Sequence, residues 1–248
     1  MSSWKHSDSP SSSAKENALG QPEPIDRRRL FLGVGRVFLL IILGLFLPAG
    51  TWTWLRGWAF FIVFVVVCIF ATMYLRRVNP EVIVARVNRH KGTKHWDRIL
   101  LGIFFPTVMV VPILAALDDG RYHWFHVPWW GCLLGYMLLI AGMAGVTWAE
   151  SVNKYFERTV RIQIDRGHKV IDAGPYAIVR HPGYVSGCLF FMGMSLSLGS
   201  VWALIPAILA CLLLVLRTIL EDRTLREELA GYKEYAQRVR YRLLPGVW

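Results

Sequence analysis

The sequence predicts an all-α membrane protein: a polytopic bundle of about six spanning helices, with both termini in the cytoplasm. The first observation behind this prediction is composition, since 54% of the 248 residues are hydrophobic and the mean hydropathy is +0.39. The apolar residues form long runs and the charged residues lie between them, which is typical of membrane proteins. The second observation is that basic residues are concentrated in alternate loops.

Six apolar segments indicate about six spans, because a spanning helix needs about 20 mostly apolar residues. They cover residues 30–47, 57–75, 99–117, 129–149, 185–198 and 201–216. Only Gly199 and Ser200 separate the last two segments, so these two should form a tight helical hairpin. The fourth segment is rich in glycine, and small residues at this spacing permit close packing of helices.

The basic residues give the orientation. Seven lie between residues 76 and 98, six between 154 and 180 and seven between 217 and 242, and three arginines at 27–29 precede the first segment. The opposite loops contain only Arg56 and Arg121. The positive-inside rule then places the basic segments and both termini in the cytoplasm, and an even number of spans satisfies that arrangement.

Composition divides the chain into three parts. Residues 1–26 are rich in Ser, Pro and Lys and predict a disordered cytoplasmic tail rather than a signal peptide. Residues 27–149 hold the N-terminal spanning helices, and residues 150–248 hold two longer polar segments together with the hairpin at 185–216. The formal net charge of +11 favours membrane lipids with anionic headgroups as partners over nucleic acid. The cysteines lack metal-ligand spacing, so no metal site is expected.

Two polar segments are candidates for chemistry. The first, at residues 160–187, contains a GP turn and an HPG turn just before an apolar helix. The second, LEDRTLREEL at residues 220–229, places Arg223 and Glu227 four residues apart on one helical face. Taken alone, the first could be an interfacial loop whose Arg and Tyr side chains touch headgroups. The second, taken alone, could be an ordinary ion pair on a solvated helix.

The combination of the two segments is more specific. A GPYxxxRHPxY run at residues 174–184 is followed, after the apolar hairpin, by an EE pair at 227–228 and a YxxYxxxV…P pattern. Over roughly residues 153–245 the chain resembles the isoprenylcysteine carboxyl methyltransferase family and its relatives among membrane phospholipid methyltransferases. The resemblance implies that residues 150–248, including the hairpin at 185–216, are the catalytic methyltransferase region and that S-adenosylmethionine is the cofactor. The absence of a GxGxxG turn between a strand and a helix excludes a Rossmann-type methyltransferase.

The resemblance also implies roles for individual residues. The implied cofactor contacts are Gln163, His168, Lys169, Val170, Ile171, Tyr176, His181, Pro182, Gly183, Tyr184 and Glu227. Arg223, one helical turn before Glu227, is implied to hold the substrate. These residue types suit the cofactor, because a carboxylate can pair with its ammonium group and tyrosine faces suit adenine and cationic groups.

The implied activity is methyl transfer to a lipophilic small molecule or prenylated substrate, with carboxyl O-methylation of an isoprenylcysteine-like substrate as the first hypothesis. A carboxylate is ionised at neutral pH, so catalysis would rest on orientation and desolvation, with Arg223 aiming the reacting oxygen. Phospholipid N-methylation would need a proton acceptor, such as His181 or Glu228, and thiol S-methylation is also open. An NADPH-dependent sterol-type reductase and a non-enzymatic scaffold or transporter are the alternatives from other classes.

Overall fold

The computed structural model describes residues 27–87 and 92–248, and the predicted tail at residues 1–26 lies outside them. A boundary between two units of the chain lies between Val37 and Phe38, and Phe38–Trp248 is the second unit. All regular structure in the described ranges is helical, which confirms the all-α prediction. The helices are α1 (Arg27–Ala49), α2 (Leu55–Val78), α3 (Pro80–Val87), α4 (His95–Ala115), α5 (Trp129–Val152), α6 (Pro182–Ser197), α7 (Leu204–Glu228) and α8 (Tyr232–Arg238). A π-helical turn, Ala116–Tyr122, extends α4.

Within the described ranges, four helices are long and apolar enough to cross a membrane: α2, α4 with its π-helical extension, α5 and α7. Helix α6 has 16 residues and so rises about 24 Å, less than the roughly 30 Å of a bilayer's hydrocarbon core. The apolar stretch Phe38–Ala49 of α1 is shorter still. Several apolar helices therefore fit an integral membrane protein, whereas the count of six spans and the side on which the termini lie stay predictions.

Helices α5 and α6 pack with their backbones in close approach, and glycines make this possible. A Cβ atom added at Gly142 would lie 2.5 Å from the backbone nitrogen of Phe190 and 2.6 Å from the carbonyl oxygen of Ser186. A Cβ atom at Gly193 would overlap the backbone nitrogen of Leu139. The structure thus confirms the close packing that the glycine spacing of α5 predicts.

We expect Gly142→Ala to lower the melting temperature of the detergent-solubilised protein, because the new methyl group meets backbone atoms that cannot move aside alone. Such overpacking costs about 1–3 kcal/mol. Gly102→Ala in α4 is the matched control, since an added Cβ atom there has nothing within 4 Å and alanine favours a helix over glycine. Equal losses of melting temperature in the two variants would contradict the close approach of α5 and α6.

The apolar segment predicted at residues 201–216 and the polar helical segment at 220–229 form one continuous helix. Helix α7 runs without a break through Arg217 to Glu228. The charges do not end the helix, because Arg217 and Asp222 are buried against partners from other segments. Helix α7 therefore carries ionisable side chains from the apolar core into the polar end of the bundle, where the candidate site lies.

The connecting segments meet at two ends of the bundle. At one end, buried Asp118 of the π-helical turn accepts a hydrogen bond of 2.6 Å from Ser200, in the turn between α6 and α7. At the other end, the backbone nitrogen of Lys94 donates to Val160 at 3.1 Å, and the Lys94 side chain donates to Glu228 at 2.6 Å. The segments before α4, after α5 and at the end of α7 therefore share one end of the bundle.

Candidate active site

A cavity of about 250 Å³ lies at the end of the bundle where the segments before α4 and after α5 meet the end of α7. Its walls come from α4, the connector between α5 and α6, the first turn of α6, the second half of α7 and α8. Leu101, Phe104 and Phe105 of α4 form an apolar side, and the connector and α7 contribute polar groups. The volume is close to the lower end of the range for small-molecule sites, and a mixed apolar and polar lining is usual in them.

Nine of the eleven residues predicted to contact a cofactor line this cavity. They are Gln163, His168, Lys169, Val170, Ile171, Tyr176, His181, Gly183 and Tyr184. Pro182 is the first residue of α6 and is buried outside the lining. Residues of the polar segment before α6 thus lie together at one cavity. The binding of a cofactor by these residues stays a prediction.

The cofactor residue Glu227 and the substrate residue Arg223, the remaining two of the predicted site, lie outside the cavity lining. The side chains of Arg223 and Glu227 are 77% and 58% exposed and form an ion pair of 2.9 Å on the outer face of α7. This placement differs from the prediction that they face substrate and cofactor. Arg217 and Glu221 line the cavity instead, and they have the same spacing of four residues. The acidic Glu221-Asp222 pair was the signal in the sequence that could have indicated this alternative.

Arg217 is held in a fixed orientation at the cavity. Its Nε donates to Asp97 Oδ1 at 2.8 Å, and its Nη2 donates to Asp97 Oδ2 at 3.3 Å and to the carbonyl oxygen of Arg158 at 2.7 Å. The guanidinium carbon also lies 5.5 Å from the centre of the Tyr184 ring, a distance suited to a cation–π contact. Both charges of the Arg217–Asp97 pair are buried, and the double hydrogen bond sets the plane of the guanidinium.

Glu221 is the carboxylate that the cavity presents on α7. It accepts a hydrogen bond from the hydroxyl group of Tyr184, and its side chain is half-buried. The ring of Tyr184 is stacked on that of His181, with centroids 5.7 Å apart and planes 3° apart. The HPxY turn therefore supplies two parallel rings beside a carboxylate and a guanidinium.

Asp222 accepts hydrogen bonds from several segments at the polar end of the bundle. It is 1% exposed and pairs with Arg180 through bonds of 2.7 and 3.3 Å. It also accepts from the Tyr232 hydroxyl at 3.0 Å, and from Arg226 and Arg242 at 3.0 and 3.1 Å. Arg180 in turn donates to two carbonyl groups of the C-terminal segment. This carboxylate thus ties the connector, α7, α8 and the C-terminal residues together.

The connector is ordered by its own polar contacts. The amide of buried Gln163 donates to the carbonyl of Tyr155 at 2.7 Å and accepts from Arg166 at 2.8 Å. The imidazole of His168 lies 4.5 Å from the ring of Tyr155, and burial lowers the pKa of His168 below its ordinary value. The His168 ring is therefore neutral at pH 7. Gln163 uses both ends of its amide in these contacts, which indicates that it shapes the cavity wall.

Tyr176 of the GPY turn is buried and lines the cavity. Its hydroxyl accepts a hydrogen bond of 3.0 Å from Asn153, and its carbonyl accepts one of 2.8 Å from the Tyr235 hydroxyl. Burial raises the pKa of the Tyr176 phenol and of the Tyr235 phenol, so both stay protonated at neutral pH. These two residues join the connector to α8 in the cavity wall.

The fold and the cavity together define a class: a helical protein whose apolar helices fit an integral membrane protein, with a cavity at one end of its bundle. The comparisons with known proteins agree with the resemblance seen in the sequence. A family model described as phospholipid methyltransferase matches residues 130–230, which include α5, the connector, α6 and α7. The match confirms that this part of the chain is similar to membrane methyltransferases.

One curated relative has a different description. The cobalt-zinc-cadmium resistance protein CzcN of Cupriavidus metallidurans is 32% identical over 136 residues, which cover 53% of this chain and 58% of that protein. The chain therefore spans less than two thirds of the relative's length, and the similarity concerns a shared part of the two proteins.

Proposed function

We propose that the protein is an S-adenosylmethionine-dependent methyltransferase that acts on a lipophilic acceptor at the cytoplasmic face of a membrane. One observation carries the proposal: nine residues of the predicted cofactor set meet Arg217 and Glu221 in a single cavity with an apolar side. Most of that cavity falls within residues 130–230, where the phospholipid methyltransferase model matches. The same match does not favour a sterol-type reductase.

The donor set fits this cofactor. Bound S-adenosylmethionine would supply a methyl group on a positively charged sulfur. Glu221 can pair with an ammonium group or accept from hydroxyl groups, and it takes the role that the sequence assigned to Glu227. The stacked rings of His181 and Tyr184 line the cavity, where a planar group can pack against them. The apolar groups on the α4 side of the cavity keep water from the reacting atoms.

For the acceptor, we retain carboxyl O-methylation of an isoprenylcysteine-like substrate as the first candidate. Arg217 would orient the substrate carboxylate in place of Arg223, because it is the arginine of this pair that lines the cavity. The apolar side formed by Leu101, Phe104 and Phe105 suits the lipophilic part of such a substrate. An ionised carboxylate needs no base, so these residues would act by orientation and by exclusion of water.

One observation favours phospholipid N-methylation as a second candidate. The charge of Arg217 is already balanced by Asp97, and Glu221 adds a negative charge beside it. Close to Arg217, these two carboxylates suit a neutral or cationic acceptor better than an anionic one, whereas Arg158 and Lys169 elsewhere in the lining suit an anionic group. Glu221 would then also be placed to accept the proton that an amine releases on methylation.

A ligand-stabilisation measurement on the detergent-solubilised protein tests the class of enzyme. A ligand that binds only the folded state raises the melting temperature, so we expect a rise with S-adenosylmethionine and none with NADPH. Label transfer from methyl-labelled S-adenosylmethionine, in vesicles that contain farnesylcysteine and phosphatidylethanolamine, then identifies the acceptor. Base-labile label indicates a carboxyl ester, and stable label indicates methylated nitrogen. A rise with NADPH alone would overturn the proposal.

A further inference from the structure

We propose that Asp97 is a positioning residue for the reaction. Asp97 acts by fixing the guanidinium of Arg217 at the acceptor end of the cavity. The inference rests on the proposed function and extends it to a residue outside the methyltransferase-like segment. Asp97 lies in the first turn of α4, ahead of the matched residues 130–230.

Asp97 contacts residues of the cavity wall and has no contact with the cavity itself. Its side chain is 0% exposed, and it does not belong to the cavity lining. One oxygen accepts from Arg217 Nε at 2.8 Å. The other accepts from the backbone nitrogen of Val160 at 2.7 Å and from Arg217 Nη2 at 3.3 Å. Any effect of Asp97 on a bound molecule must therefore pass through Arg217 or through the connector.

The same contacts join three parts of the cavity wall. Arg217 belongs to α7, Val160 and Arg158 belong to the connector, and Asp97 belongs to α4. Arg217 and Val160 line the cavity on two of its sides. A carboxylate is the side chain that suits this place, because it offers two acceptor oxygens in one plane and matches the fork of an arginine. An amide offers a single acceptor oxygen and no charge.

The expected consequence of Asp97→Asn is a loss of turnover with little loss of cofactor affinity. The amide that replaces the carboxylate would leave one of the donor partners without an acceptor. The guanidinium would lose the carboxylate that is hydrogen-bonded to it, and Glu221 would be the negative charge that remains beside it. We expect a loss of about 10- to 100-fold in kcat, by analogy with the partners that orient metal ligands in metalloenzymes. Glu221, His181 and Tyr184 are not bonded to Asp97, so the dissociation constant for S-adenosylmethionine should change by less than about threefold.

A double-mutant cycle separates positioning from a general structural role. Asp97→Asn, Arg217→Lys and the double variant are compared in kcat for label transfer from methyl-labelled S-adenosylmethionine to farnesylcysteine and phosphatidylethanolamine in vesicles. Because Asp97 acts through Arg217, the double variant should lie within about threefold of the slower single variant. Asp119→Asn is the matched control, since it breaks the Arg56–Asp119 pair at the opposite end of the bundle. It should lower the melting temperature and leave kcat unchanged.

Additive losses in the cycle, or an equal loss of kcat in Asp119→Asn, would overturn the inference. If Asp97→Asn does not fold, Asp97→Glu replaces it, because the extra methylene keeps the charge and displaces the guanidinium. That variant should lose at least about fivefold in kcat, with the affinity for S-adenosylmethionine unchanged, and an unchanged kcat would overturn the inference. A wild-type protein that neither binds S-adenosylmethionine nor transfers label would instead overturn the proposed function.

Discussion

Replacing Glu221 with Gln is expected to weaken the binding of S-adenosylmethionine about 10- to 100-fold, which corresponds to the roughly 1.5–3 kcal/mol of a hydrogen bond to a charged group. Glu221 is the carboxylate of α7 that lines the cavity beside Arg217. Glutamine has nearly the same shape and can still accept from the Tyr184 hydroxyl, so the loss reports the missing charge. Isothermal titration calorimetry in detergent measures the affinity.

The matched control for this prediction is Glu227→Gln, on the same helix. Glu227 pairs with Arg223 on the exposed face of α7, and we expect its replacement to leave the affinity for S-adenosylmethionine unchanged. Exposed pairs of this kind contribute little to stability, so the Glu227 variant should fold. A loss of affinity in the Glu227 variant with none in the Glu221 variant would restore the assignment made from sequence and contradict the cavity as the cofactor site.

The second large effect concerns stability. Asp222→Asn should destabilise the protein by about 3–5 kcal/mol, because removing one partner of a buried pair leaves the other charge without compensation. Arg180, which is also buried, loses its carboxylate partner, and the contacts of Arg226 and Arg242 weaken with it. The melting temperature of the detergent-solubilised protein, measured in the absence of ligand, reports the change.

Asp172→Asn provides the comparison for that measurement. Asp172 and Arg238 form an ion pair in which both side chains are more than half exposed, and substitutions at such places usually change stability by less than about 0.5 kcal/mol. Similar melting temperatures for the Asp222 and Asp172 variants would show that Asp222 does not tie the connector to α7 and α8.

The sequence predicts well what depends on local pattern. The all-helical class, the close packing of the glycine-rich helix α5 and the polar loop before α6 follow from hydropathy, small-residue spacing and turn residues. Nine predicted cofactor residues lie together because eight of them fall within the short segment 168–184, which contains the GP and HPG turns. Gln163 precedes them by only a short 3-10 turn.

The local sequence pattern does not determine which face of helix α7 lies toward the cavity. Two pairs with the same spacing occur in succession, Arg217 with Glu221 and Arg223 with Glu227. A shift of six residues rotates a side chain by about 240° around the helix, so only one of the pairs can face the cavity. The choice depends on Asp97, which is 120 residues away from Arg217. No periodicity within α7 indicates that partner.

A structure of the protein with S-adenosylhomocysteine bound tests the central claim most directly. The account predicts that the ligand occupies the cavity between the connector and α7, with a polar group within hydrogen-bond distance of Glu221 and its ring system against residues of the 168–184 loop. Arg217 should remain paired with Asp97 and face the position from which the methyl group leaves. Ligand bound at the exposed Arg223–Glu227 face, or away from Tyr176 and His181, would contradict the account.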